Sequence, residues 1–171
     1  MIDMPENRIS KRKHQWGTRG ELLVTFQFIL VATFIVLPDF PVLTHTELYA
    51  RVAIFRWLLL VVTWVAALLL GAFGSMHIKE FLTPLPYPVD HNRLVTTGMY
   101  SLVRHPLYSS QLFLAFGWSI FSLSLSHLLL SVFGLLFFSY KASREEKWLT
   151  ERHPEYADYA LRVKRFIPWI Y

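Results

Sequence analysis

Four apolar blocks separate the charged parts of this chain, and they limit its fold more than any other feature. They cover 22–37 ("LLVTFQFILVATFIVL"), 52–73, about 107–121, and 128–140. Charge is concentrated in the two ends and one middle stretch, the pattern of an integral membrane protein. Apolar residues make up 54% of the sequence, above the about 45–50% of a soluble domain. The first block is short of the ~20 residues that cross a hydrocarbon core. Arg19, Gly20 and Glu21 extend it at headgroup level, and Pro38 and Pro41 end it. The second block carries Arg56 near its start, where a long side chain is expected to snorkel out to the interface. Only "SLSLS" joins the third block to the fourth. That spacing predicts a tight helical hairpin, with Gly117, Ser119, Ser131 and Gly134 allowing close approach. A re-entrant pair that does not cross is the alternative.

Lys and Arg orient the chain. Of the 17, all but Arg51 and Arg56 fall in the N-terminal segment, the middle connection and the tail. Four spans put those three regions on one side, whereas three or five spans would scatter them. The positive-inside rule makes that side cytoplasmic, with both termini there. The expected fold is therefore an all-α integral membrane protein of about four transmembrane helices. It has a C-terminal helical hairpin and a cytoplasmic helical tail, in an inner or plasma membrane of prokaryotic type. It reads as one membrane domain in two parts, 1–73 and 74–171. The N-terminus does not read as a signal peptide: its charged run is long and no small-residue cleavage site follows.

Other classes are disfavoured. There is no cysteine, so any thiol in a reaction belongs to the substrate. A net charge of +5 suits orientation and anionic headgroups, and no basic stripe interleaved with aromatics suggests nucleic acid. No metal is expected, since His91, His105 and His153 have no paired ligand spacing. "TPLPYPVDHNR" holds Pro84, Pro86 and Pro88, which no helix interior tolerates. It reads as a connection along the membrane surface, with Asp90 and His91 as loop residues.

Two segments share Arg-His-Pro-x-Tyr: "VRHPLY" at 103–108 and "ERHPEY" at 151–156. Their flanks share nothing, so they are not a repeat. The first sits where the middle connection enters the hairpin. A hairpin returns its ends to one place, so Arg104, His105 and Tyr108 are expected beside Arg144, Glu145 and Glu146. Such a site offers cations, two carboxylates, an imidazole and phenols. It fits a small charged cofactor of both signs better than a metal or a hydrolytic serine. In the tail, Glu145, Trp148 and Leu149 share a helix face, as do Tyr156, Tyr159 and Val163 beyond a break at His153-Pro154.

"TPLPYPVDHNRLVTTGMYSLVRHPLYSSQLF", a hydrophobic hairpin, and then "REEKWL…YADYALRVKRFIPWI" resemble the isoprenylcysteine carboxyl methyltransferase and phospholipid methyltransferase superfamily. The resemblance covers 74–171. It implies a membrane methyltransferase with a pocket for S-adenosyl-L-methionine, and a lipophilic small molecule or lipid-anchored group as acceptor. The implied cofactor-binding residues are Gly98, Tyr100, His105, Pro106, Tyr108, Glu145, Glu146, Tyr156 and Tyr159. Arg165 and Pro168 match more loosely. His105, Arg104 and Glu146 are the implied catalytic set. Ser109-Ser110 stands where the family has Gly. A nicotinamide-dependent membrane reductase of the related sterol reductase type, or a non-enzymatic protein keeping the fold, are the alternatives. The acceptor (carboxylate, thiol or amine) and the oligomeric state are not written in the sequence.

Overall fold

The computed structural model describes residues 20–42, 46–79 and 94–171. The basic N-terminal segment and the proline-rich connection, with Asp90 and His91, lie outside the described residues. The described residues form helices α1 (Glu21–Val36), α2 (Glu47–Arg51), α3 (Ala53–His77), α4 (Pro106–Ser122), α5 (Leu125–Arg152) and α6 (Tyr156–Arg162). A 3₁₀ turn at Gly98–Ser101 precedes α4. Helices α3 and α5 are long and apolar enough to cross a membrane; α1 is apolar but shorter. At about 1.5 Å per residue, α4 rises ~25 Å.

The fourth apolar block and the first part of the tail are one helix. The sequence predicts a membrane segment ending near Tyr140 and then a separate polar helix. Instead, α5 runs on through "KASREEKWLTER" to Arg152. Nothing between 140 and 152 breaks a helix, because Lys, Ala, Arg, Glu and Leu are all good helix formers. The break comes at His153-Pro154, as expected.

Helices α3 and α4 pack antiparallel along a line of small residues. A Cβ on Gly71 would lie 3.0 Å from Ser110 Oγ, and one on Gly74 3.1 Å from the Pro106 ring. One on Gly117 would lie 2.2 Å from Thr63 Oγ1. Thus Gly117 serves the α3–α4 contact and not the hairpin. Gly134 faces Leu30 of α1 at 3.7 Å. The hairpin itself is joined by Ser119 and Ser131, both buried, with hydroxyls 2.8 Å apart. At 3.6 residues per turn, positions 117 and 119 stand on different faces, so small residues close together in sequence serve different partners. Gly117→Ala is expected to cost about 1–3 kcal/mol by overpacking. Thermal melts in detergent should show a drop that Thr63→Ala partly restores.

The turn end of the hairpin holds two polar clusters. Arg56 does not reach outward as expected; it is buried. Its Nε donates to Phe121 O at 2.7 Å and its Nη2 to Tyr49 Oη at 3.1 Å. The last carbonyls of α4 have no intrahelical donor, and a guanidinium at that negative helix end is favourable. Capping α4 outweighs snorkelling. On the far side, the backbone after α1 pairs with the α4–α5 turn through Leu125 N to Phe40 O and Val42 N to Leu123 O. His127 joins them: Phe34 O, 3.2 Å from Nε2, can only accept, so Nε2 carries the proton. Nδ1 then faces Ser124 Oγ at 2.9 Å and Asp39 at 3.1 Å.

Candidate active site at the entry to α4

At the other end of the bundle, the chain enters α4 through residues whose backbone chemistry fixes their side chains. Gly98 has φ +62, the left-handed region that glycine enters at no steric cost. A Cβ there would sit 2.0 Å from His77 Nε2 at the end of α3. The 3₁₀ turn that follows places Tyr100. Arg104 N and His105 N donate to Lys164 O and Arg165 O at 2.8 and 3.1 Å. A two-residue parallel ladder thereby pins the tail beside the motif. Pro106 opens α4 at its first turn, where the missing N–H costs nothing.

Glu146 is the centre of the cluster. Its Oε1 receives His105 Nε2, Arg104 Nε and Arg165 Nε, each at 3.0 Å. Arg165 Nη2 reaches Oε2 at 2.6 Å, giving a bidentate pair. Glu146 lies beyond the apolar stretch of α5. Burial opposes its ionisation, but hydrogen bonds from His105 and Arg165 and the charge of Arg104 outweigh that. They bring its carboxyl down to about 2. Arg104 has a further task. Its Nη1 donates to Ala160 O at 2.7 Å and Val163 O at 2.6 Å, closing the C-terminal end of α6.

Glu145, one residue earlier, has a different environment. It accepts from Tyr108 Oη at 2.9 Å and lies 3.6 Å from His105 Nδ1. Its side chain is 26% exposed against 13% for Glu146. The His105 ring stacks on Tyr108 at 5.3 Å and 9°, and Phe166, buried, meets His105 edge-on. Tyr156 and Tyr159 are buried side by side on α6. Tyr159 Oη donates to Tyr100 O. Tyr156 Oη is buried with no hydrogen-bond partner. Burial and then the Glu145 charge push the Tyr100 phenol well up, and burial and then the Glu146 charge do the same to Tyr156. Burial pushes Tyr159 up as well. These groups are neutral donors and not bases.

The sequence profile of the phospholipid methyltransferase family matches residues 49–156, well over half of the chain. The chain belongs to the phospholipid methyltransferase family. Two curated relatives match shorter stretches. A cobalt-zinc-cadmium resistance protein of Cupriavidus metallidurans is 39% identical over 80 residues, 46% of this chain and 37% of that protein. A nickel-cobalt-cadmium resistance protein of Alcaligenes xylosoxydans xylosoxydans is 38% identical over 77 residues, 44% of this chain and 36% of that protein. The matched part is little more than a third of each relative's length.

In this phospholipid methyltransferase family member, the structure gathers the sequence-predicted residues at one end of the bundle. Arg104, His105, Tyr108, Glu145 and Glu146 are in direct contact. Tyr159 is tied by its hydroxyl to the Tyr100 carbonyl, and Pro106 is directed at Gly74 of α3 instead of the carboxylates. Arg144 is a correction: it was expected beside Arg104 but is exposed and lies over the Trp148 ring. Residues 144 and 146 stand on opposite sides of a helix, so the face that brings Glu146 inward turns Arg144 out. Sequence reasoning missed Arg165 as the bidentate partner, Phe166, and Lys141. Lys141 is 1% exposed and holds Gln27 of α1 through Oε1. A lysine directly after an apolar block, four residues before Glu145, was the available signal.

Proposed function

We propose that this chain is a membrane methyltransferase that uses S-adenosyl-L-methionine and acts on a lipophilic acceptor. The observation that carries this reading is the unequal treatment of two adjacent carboxylates. Glu146 is paired with two guanidiniums and accepts a hydrogen bond from an imidazole. Glu145 meets a phenol and the edge of the His105 ring, and no guanidinium among the described residues. Glu145 is therefore an anion available to a cationic ligand. A buried phenol without a partner, on Tyr156, lies in the field of both carboxylates. A cofactor with an ammonium, a sulfonium and ribose hydroxyls suits that donor set.

When bound, the cofactor supplies a methyl group on a sulfonium, and transfer by in-line displacement needs alignment more than an enzyme nucleophile. Glu145 takes the ammonium or ribose hydroxyls, and Tyr156 donates from its buried hydroxyl. The face of Tyr100 favours a cation over it. Glu146 fixes the proton of His105 on Nε2, leaving Nδ1 to accept a proton from an amine or thiol acceptor. A carboxylate acceptor arrives ionised and needs no base. Arg104 and Arg165 have their donors committed to Glu146 and α6, so their role is to hold the tail over the site. Gly98 sets the turn that carries Tyr100, and Pro106 starts α4. The apolar faces of α3 and α5 suit an acceptor entering sideways from the bilayer, with the site at headgroup level on the cytoplasmic side.

The test is transfer of a labelled methyl group from S-adenosylmethionine to a total lipid and small-molecule extract. A labelled lipophilic product is expected, and it should disappear with His105→Ala. Label left wholly on the cofactor, by protein that binds S-adenosylhomocysteine, would favour the non-enzymatic alternative. The two His-Pro segments also separate. His105→Ala removes a hydrogen bond to a charged partner, so S-adenosylhomocysteine affinity should fall about tenfold or more. His153, 3.5 Å from Glu155 at the α5–α6 junction, should tolerate Ala within about twofold, since only a weak pair with an exposed carboxylate is lost. Equal losses by calorimetry would remove the distinction.

A further inference from the structure

Lys141 is the largest fully buried side chain in the described structure. It sits at the boundary between the apolar stretch of α5 and its polar extension. A cation there is costly unless something uses it. Its visible compensation is thin. Nζ donates to Gln27 Oε1, and lies 5.1 Å from the centre of the Tyr108 ring. Both are neutral groups. Gln27 is itself held by Gln111, through Nε2 to Oε1 at 3.0 Å, and Gln111 donates to Leu107 O at 3.2 Å. A chain of polar side chains thus runs from Gln111 of α4 through Gln27 of α1 to Lys141 of α5, among helices that are otherwise apolar. It ends under the ring whose hydroxyl bonds Glu145. Lys141 and Glu145 are also four residues apart on α5, on one helix face.

We propose that Lys141 is a positioning residue for the cofactor site: its charge, tethered by Gln27 of α1, holds Tyr108 and Glu145 in the arrangement that receives the ligand. The inference rests on the reading of the site given above. It assigns α1 a part in that site, although α1 lies outside the residues that match the family. The physical logic is that Lys141 fixes the Tyr108 ring from the bundle side by cation–π attraction. It also supplies a positive charge behind Glu145, so that Glu145 stays an acceptor with its open side free. The cation is retained for position at the expense of stability.

That division gives the test a signature that packing alone does not produce. Purified full-length protein in detergent is titrated with S-adenosylhomocysteine by calorimetry, and its melting temperature is measured. Lys141→Met keeps the bulk and removes the charge. It is expected to weaken affinity at least tenfold while the melting temperature is unchanged or higher, because a poorly compensated buried charge has gone. Gln27→Leu leaves the cation and removes its acceptor, so the melting temperature falls. In Gln27→Leu/Lys141→Met that fall disappears and the affinity matches Lys141→Met alone. Wild-type affinity in a folded Lys141→Met protein overturns the inference and leaves the cofactor reading standing. A parallel loss of affinity and melting temperature in Lys141→Met also overturns it, as a packing effect. No binding by the wild type overturns both.

Discussion

Glu146→Ala is expected to detach the tail and abolish cofactor binding together. Arg104, Arg165 and His105 all converge on this carboxylate, and its side chain is only 13% exposed. Removing one partner of a buried ion pair costs about 3–5 kcal/mol, since the remaining charges stay buried and unpaired. Here two guanidiniums lose their counter-charge and His105 loses its acceptor. Glu146→Gln should lose less, because the amide still accepts hydrogen bonds but carries no charge. Calorimetry with S-adenosylhomocysteine and protease sensitivity of residues 153–171 would both report the change. The acid response follows from the same residue. Its carboxyl is lowered from 4.5 to about 2, so its stabilising contribution is complete above pH 4.5. That contribution is lost as pH falls from there through about 2. Tail protection should therefore be flat from neutrality down to pH 4.5 and weaken only below it. Loss of protection near pH 6 would point to a different group.

Arg104→Ala is expected to be almost as severe, for a different reason. One guanidinium both pairs with Glu146 and closes the last turn of α6 through Ala160 O and Val163 O. Hydrogen bonds from a charged donor are worth about 1.5–3 kcal/mol each, and two of these satisfy carbonyls that the helix cannot. Arg104→Lys keeps the charge but cannot span the two tasks, because a lysine lacks the fork. Lysine should therefore rescue little. Limited proteolysis after Arg162 or Lys164 is the readout; protection equal to wild type in Arg104→Ala would show that the backbone ladder from Arg104 and His105 holds the tail unaided.

The fold was legible where hydrophobicity is blocky and the chain is punctuated. The apolar blocks mark α1, α3, α4 and α5, and His153-Pro154 marks the end of α5. The site was legible because a hairpin returns its ends, which brings Arg104, His105 and Tyr108 to Glu145 and Glu146. Properties set by the partner helix were not legible. Gly117 and Gly134 read as hairpin contacts, but face α3 and α1. Arg56 reads as a snorkelling charge, yet an unsatisfied helix end at Phe121 O draws it inward. Lys141 reads as the first residue of a polar tail, yet it is buried because α5 continues in register and presents it to Gln27. In each case the sequence shows what a residue can do and the packing selects among the options.

We propose that this cluster binds S-adenosylmethionine through Glu145 and its neighbours. Calorimetric titration of the purified protein in detergent tests it most directly, with S-adenosylhomocysteine in one arm and a reduced nicotinamide nucleotide in the other. Saturable one-to-one binding of S-adenosylhomocysteine, lost in Glu145→Ala, is expected, with no binding of the nicotinamide nucleotide. No binding of S-adenosylhomocysteine by folded protein, or binding of the nicotinamide nucleotide in its place, would contradict it.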